Sequence, residues 1–195
     1  SDVCSSDLMK PCHVVIEAIV ENLDAKRALF AELEDIVTPD CVLASNTSSL
    51  SVTTIGAKLK TPHRFAGFHF FNPVPLMKLV EVISGQLTED WVCDALMALG
   101  RRMTREPVRL VDAPGFLVNQ VGRGFSLEAC HLVQEGVASF YDVDRVMRDV
   151  GGFRMGPFEL MDLTGLDVTQ PASGLIYSQF FYEQRYRPSL IMQGR

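Results

Sequence analysis

Up to about residue 113 the chain alternates short β-branched apolar runs with segments whose apolar residues recur at helical spacing; beyond it only the helical spacing continues. That switch confines the chain to a layered α/β sheet followed by an all-α part. His13-Val-Val-Ile-Glu-Ala-Ile19 reads as a strand of the kind buried on both faces. From Asn22 to Val37, Leu29, Leu33, Ile36 and Val37 predict a helix, which Thr38-Pro39 stops. Cys41 to Ser45 is a second strand opening into the polar stretch Asn46-Thr47-Ser48-Ser49, and a short helix follows over Ser51 to Leu59. Arg64 to Phe71 and Lys78 to Ile83 are two more strands around the turn Asn72-Pro-Val-Pro75. Thr88-Glu-Asp is suited to cap a helix carrying Val92, Leu96, Leu99 and Met103, and Glu106 to Val111 closes the sheet.

After Asp112-Ala-Pro-Gly115 come three helical stripes. Val118, Val121, Phe125 and Leu132 form the first; Val143, Val146, Met147 and Val150 the second; Gly156-Pro157 opens the third. The spacing therefore predicts a sheet domain over 12–113 and a helical domain over 114–195. Ser1 to Pro11 fits neither and reads as foreign or disordered, and Ser189 to Arg195 shows no closing element.

Lys and Arg number 18 against 24 Asp and Glu, a net charge of −6, so the basic excess expected of a nucleic-acid partner is missing. No apolar run is long enough to cross a bilayer, which predicts a soluble protein, and the scattered cysteines point to a reducing compartment such as the cytoplasm. The 5 cysteines are odd in number, scattered and without a C-x-x-C pair, so neither a disulfide framework nor a metal site is expected.

The one G-x-G, Gly122-Arg-Gly124, lies inside a helical stripe and lacks the third glycine, so it reads as helix packing rather than a dinucleotide fingerprint. Polar residues instead gather where strands end. His69 lies near the end of one predicted strand and Glu81 within the next, so a carboxylate that orients an imidazole and steadies its protonated form is feasible. Spacing alone does not select His69 over His13, His63 or His131, and a structural histidine on a half-buried strand has the same signature. Ser45-Asn-Thr-Ser-Ser49 and Glu21-Asn-Leu-Asp-Ala-Lys26 also follow strands, where sheets of this class bind ligands; capping turns carry the same residues.

Taken in order, Val15-Ile-Glu-Ala-Ile-Val-Glu-Asn22, Ser45-Asn-Thr-Ser-Ser-Leu50, Arg64-Phe-Ala-Gly-Phe-His-Phe-Phe-Asn-Pro-Val-Pro75, Lys78-Leu-Val-Glu-Val82, Pro114-Gly-Phe-Leu-Val-Asn119 and Met155-Gly-Pro-Phe-Glu-Leu-Met-Asp162 resemble the NAD-dependent L-3-hydroxyacyl-CoA dehydrogenases. The resemblance runs from about Cys12 to Pro188, and Gly165-Leu-Asp-Val with Arg185-Tyr-Arg-Pro-Ser is most similar to bacterial members of aromatic-acid catabolism. It implies the C-terminal part of a Rossmann-type NAD-binding domain followed by a helical domain that forms a homodimer. His69 is then the catalytic base and Glu81 its partner, with Ser48 and Asn119 near the substrate's 3-oxygen. Glu21, Lys26, Ser48 and Asn72 fall on the NAD side.

The family's opening strand and G-x-G-x-x-G turn are not in this sequence, nor are the helices expected to contact CoA or the G-R-K-T-G-x-G-F-Y segment expected later. The resemblance thus implies a 3-hydroxyacyl-CoA dehydrogenase, acting on an acyl-CoA substrate, of which these residues are the middle, inactive on their own. Two other readings remain open: a related hydroxy-acid dehydrogenase that needs no CoA, and a silent fragment that retains only self-association.

Overall fold

The computed structural model describes residues 6–192 and divides after Phe116 into two compact units, three residues beyond the boundary expected from sequence texture. Among the described residues of the first unit, one sheet runs in the order β1 (Val14–Glu17), β2 (Val42–Ser45), β3 (Phe65–Phe70), β4 (Leu79–Ser84) and β5 (Glu106–Val111). β1, β2 and β3 are parallel, β4 is antiparallel to β3, and β5 is parallel to β4. The reversal brings the carboxyl ends of β1 to β3 and the amino ends of β4 and β5 to a single edge.

Strand alternation divides the side chains between two faces. On one face Val15, Leu43, Phe65 and Ile83 pack with Phe30 and Leu33 of α1 (Leu23–Glu34) and with Val52 and Ile55 of α2 (Val52–Gly56). On the other, Ala44, Phe68, Val80 and Val82 pack with Val92, Cys93 and Leu96 of α3 (Asp90–Arg102). Gly67 lets α2 come this close, since a Cβ there would lie 2.8 Å from Val52 Cγ2 and 2.9 Å from Ile83. On the α1 and α2 face, each strand turns polar as it nears the shared edge: Glu17 follows Val15, Ser45 follows Leu43, His69 follows Gly67, and Glu81 precedes Ile83.

The Asn22 side chain accepts the Ala25 N–H and starts α1, which ends at Glu34 rather than Val37. Leu33 and Val37 are nevertheless both buried, so apolar spacing continued through a turn. Ser51 caps α2, which is shorter than Ser51 to Leu59 predicts. Thr88 does not cap α3: its hydroxyl accepts the Gly85 N–H and donates to Phe65 O, tying the turn to β3. Ser6–Met9 forms a 3-10 turn, and Met9 and Cys12 pack against the α1 face; the rest of Ser1 to Pro11 before Ser6 lies outside the described residues.

The second unit contains α4 (Val118–Gln134), α5 (Phe140–Asp149), α6 (Pro157–Thr164) and α7 (Leu166–Gln179). Pro157 occupies the first turn of α6, as expected, and buried Asp144 of α5 accepts the N–H groups of Phe158 and Glu159. Gly165, at φ 83°, turns the chain from α6 into α7. Arg123 of α4 donates to Thr169 O and Ser173 Oγ of α7, and burial pushes its guanidinium pKa down.

The first two of the three predicted stripes need correction. On α4 the buried residues are Ser126, Leu127, Ala129 and Cys130, whereas Val121 is 66% exposed; on α5 Val143 is buried but Val150 is 82% exposed. Small side chains let Met161 and Met192 approach Leu127 and Cys130, and apolar periodicity does not distinguish that flank from its neighbour. Gly122 and Gly124 lie in α4, but a Cβ on either would meet nothing within 4 Å, so close packing does not explain them. The chain does acquire a closing element, a 3-10 turn at Leu190–Met192 with Met192 buried, while residues 193–195 lie outside the described residues.

Candidate active site

His69 is the penultimate residue of β3 and pairs directly with Glu81 of β4 across the antiparallel ladder. Directly opposed residues share a face, so the sheet itself brings imidazole and carboxylate together. Nδ1 of His69 lies 2.7 Å from Oε2 of Glu81. Glu81 is 0% exposed and His69 5%. With Glu81 ionised, Nδ1–H donates to it and the lone pair falls on Nε2, the tautomer that accepts a proton from a ligand. Two aromatic rings flank the imidazole, Phe71 at 4.5 Å and Phe116 at 5.7 Å between centroids. Phe116 holds a left-handed backbone at φ 50° beside Gly115 at 73°. Sequence reasoning missed both rings. Phe71 was findable as a near neighbour of His69, but Phe116 comes from far along the chain, after the last strand of the sheet.

The sequence-derived Glu21 and Lys26 sit in a second cluster on the same edge. The Lys26 ammonium reaches Glu17 Oε1 at 2.7 Å, Glu21 Oε2 at 3.3 Å and Ile19 O at 3.4 Å. Glu17 also accepts the Ser45 hydroxyl at 2.7 Å and the Ile19 N–H at 2.5 Å. Glu17 went unrecognised as a site residue, although it lies two positions beyond apolar Val15 on the covered face; Ser45 opens the polar stretch expected to meet a ligand, and its hydroxyl instead faces Glu17. Glu21 Oε1 accepts the Thr47 hydroxyl, the N–H groups of Ser48 and Ser49, and the Ser49 hydroxyl, at 2.6 to 3.0 Å.

Ser48 itself is exposed, and its hydroxyl makes no hydrogen bond to a described residue. Asn46 ties the edge together: its N–H donates to Glu17 O and its Oδ1 accepts the Phe70 N–H at 2.8 Å, directly after His69. Asn72 is exposed in the turn between β3 and β4. Asn119 lies in the first turn of α4, in the other unit.

Burial alone raises the Glu21 pKa, but the hydrogen bonds from Thr47 and Ser49, the Lys26 charge and the Ser48 N–H together outweigh it and hold the carboxyl below its usual value. A carboxyl depressed on folding is protonated first in the unfolded chain, so its contribution to stability is present above the unfolded pKa and fades as pH falls through the folded one. In urea titrations at neutral and at acid pH, Glu21→Gln is expected to lose less stability on acidification than the parent. Equal losses would mean that Glu21 does not carry the effect.

The 3-hydroxyacyl-CoA dehydrogenase NAD binding domain family matches residues 4–113, and the 3-hydroxyacyl-CoA dehydrogenase C-terminal domain family matches residues 115–194. The first match therefore begins within the segment that sequence texture set apart as foreign. The chain is 46% identical over 180 residues to 3-hydroxyadipyl-CoA dehydrogenase of Escherichia coli (strain K12), covering 92% of this chain and 38% of that protein. It is 41% identical over 172 residues to 3-hydroxybutyryl-CoA dehydrogenase of Clostridioides difficile, covering 88% and 61%. Among solved structures, 3-hydroxybutyryl-CoA dehydrogenase from Escherichia coli K12 aligns with a TM-score of 0.94 at 43% identity, over 98% of this chain and 40% of that one. The (S)-3-hydroxybutyryl-CoA dehydrogenase from Ralstonia eutropha aligns with a TM-score of 0.92 at 37% identity, over 97% and 66%. This chain thus spans 38% to 61% of the length of the curated relatives just named. With both of its units matched by domains of one enzyme family, the chain belongs to the 3-hydroxyacyl-CoA dehydrogenases.

Proposed function

We propose that the intact protein catalyses the reversible, NAD-dependent oxidation of an L-3-hydroxyacyl-CoA to the 3-oxoacyl-CoA. The His69–Glu81 contact on the polar edge of the sheet carries this reading. His69 Nε2 removes the 3-hydroxyl proton, and in the reverse direction returns it. Glu81 holds the ring in the competent tautomer and balances the imidazolium charge. Ser48 hydrogen-bonds the 3-oxygen, which keeps the carbinol hydrogen aimed away from the base.

NAD, when bound, supplies the hydride acceptor. The residues here suit its nicotinamide side: an exposed Ser48 hydroxyl, a partly exposed Glu21 carboxylate and Asn72 lie on the loops at the sheet edge. No G-x-G-x-x-G turn for its pyrophosphate occurs in these residues.

The test is NADH formation by the intact protein with L-3-hydroxybutyryl-CoA, beside its D enantiomer and free 3-hydroxybutyrate. Turnover confined to the L thioester is expected. Equal turnover of the free acid would favour the CoA-independent reading.

Self-association through the helical unit belongs to the same proposal. Its support is apolar surface left open within that unit, including Val150 at 82% and Phe181 at 92% exposed. Sedimentation is expected to give a dimer, and Val150→Glu with Phe181→Glu to shift it toward monomer. A monomeric parent would remove the homodimer. A cytoplasmic setting also fits, with Cys12, Cys41, Cys93 and Cys130 all free thiols. Among the described residues no helix is long and apolar enough to cross a membrane.

A further inference from the structure

We infer that Asn46 is a positioning residue: by holding the peptide that follows His69, its side chain sets how far the imidazole lies from the Ser48 hydroxyl. This rests on the dehydrogenase reading above, in which His69 and Ser48 act on the same 3-oxygen.

The need arises from where the sheet stops. Pairing of β2 with β3 ends at Ser45 opposite Gly67, while β3 runs on against β4 as far as Phe70. β4 therefore fixes His69 relative to Glu81, but it lies on the other side of β3 from the chain that leaves β2. The Phe70 N–H needs an acceptor where β2 has given out. Asn46 Oδ1 supplies it at 2.8 Å, so a side chain takes the place of a further strand residue. That N–H belongs to the His69–Phe70 peptide, the one that carries the His69 carbonyl.

Asn46 is itself well anchored. Its own N–H donates to Glu17 O at 2.8 Å, which ties its backbone to the end of β1. Two side-chain torsions separate that backbone from the Oδ1 contact, so little slack remains between them. Ser48 lies two residues farther along the same chain. Thr47 between them is buried, and its hydroxyl accepts the Leu50 N–H at 2.9 Å, which stiffens the turn. The base and the hydroxyl come from different strands, and Asn46 is the short link that joins them.

Asn46→Leu in the intact protein keeps the approximate size and removes the acceptor. Its kcat is expected to fall about 10–100-fold, the cost of catalytic groups displaced by an ångström or less, while NADH affinity measured by fluorescence and KM for L-3-hydroxybutyryl-CoA change little. Asn46→Asp keeps an oxygen within the same reach and is expected to lose clearly less. Asn46→Ala repeats the comparison without crowding the turn. Parental kcat in both Asn46→Leu and Asn46→Ala overturns the proposal, and so does a loss in Asn46→Asp equal to theirs.

A double-variant cycle separates positioning from support of the sheet edge. Ser48→Ala removes the hydroxyl whose distance is at stake, so Asn46→Leu is expected to cost markedly less kcat in that background than in the parent. Full additivity would make Asn46 a structural residue and overturn the inference. Hydrogen exchange at the Phe70 amide needs no turnover: it is expected to accelerate in Asn46→Leu, and unchanged exchange overturns the link. A parent that turns over no L-3-hydroxyacyl-CoA removes the dehydrogenase reading instead, while the exchange result still decides whether Asn46 holds the peptide after His69.

Discussion

His69→Gln in the intact protein is expected to lower kcat by about 10²–10⁴-fold, the usual contribution of a positioned general base. Glutamine keeps a polar group near Glu81 but takes no proton at neutral pH, so binding groups survive while proton removal is lost. NADH affinity is therefore expected to move little, and the deficit to shrink as pH rises and solvent hydroxide substitutes for the missing base. A variant with parental kcat would take His69 out of the mechanism. A variant that loses NADH binding in the same proportion would make it a structural residue of the sheet edge.

Glu81→Gln is the second large effect, and it tests the pair rather than the base. An amide in place of the carboxylate preserves one hydrogen bond, but it can donate as well as accept, so the ring is free to adopt the tautomer with its proton on Nε2. The imidazolium formed during proton transfer also loses its buried counter-charge. Changing the acid behind a catalytic histidine to its amide costs up to roughly 10⁴-fold in kcat elsewhere, and a loss approaching that is expected here, with substrate KM moving far less. Parental activity would show that the 2.7 Å contact positions nothing the reaction needs.

The strands of the first unit were legible because both faces of the sheet are covered, so β-branched runs such as Val14 to Ile16 stand out against their flanks. Helix faces in the second unit were not. Val121 and Val150 are as apolar as Leu127 and Val143, and nothing in a periodic pattern says which of two apolar flanks the same unit covers. The histidine–acid pairing was visible as feasible, since one turn joins the two strands, but its 2.7 Å contact depends on register, and a one-residue slip would have sent Glu81 to the opposite face. The contact of Glu17 with Ser45 stayed hidden for a different reason. They are 28 residues apart, and only the parallel pairing of β1 with β2 makes them neighbours.

Because β3 and β4 are hydrogen-bonded to each other directly, the spacing of the imidazole and its acid is indifferent to how many residues make up the hairpin that links them. Lengthening or shortening the exposed stretch from Asn72 to Lys78 would redraw the surface of that turn without changing the spacing of the imidazole and its acid. A hinge-free pairing of this kind leaves the hairpin open to variation in what it admits, while the proton chemistry stays put.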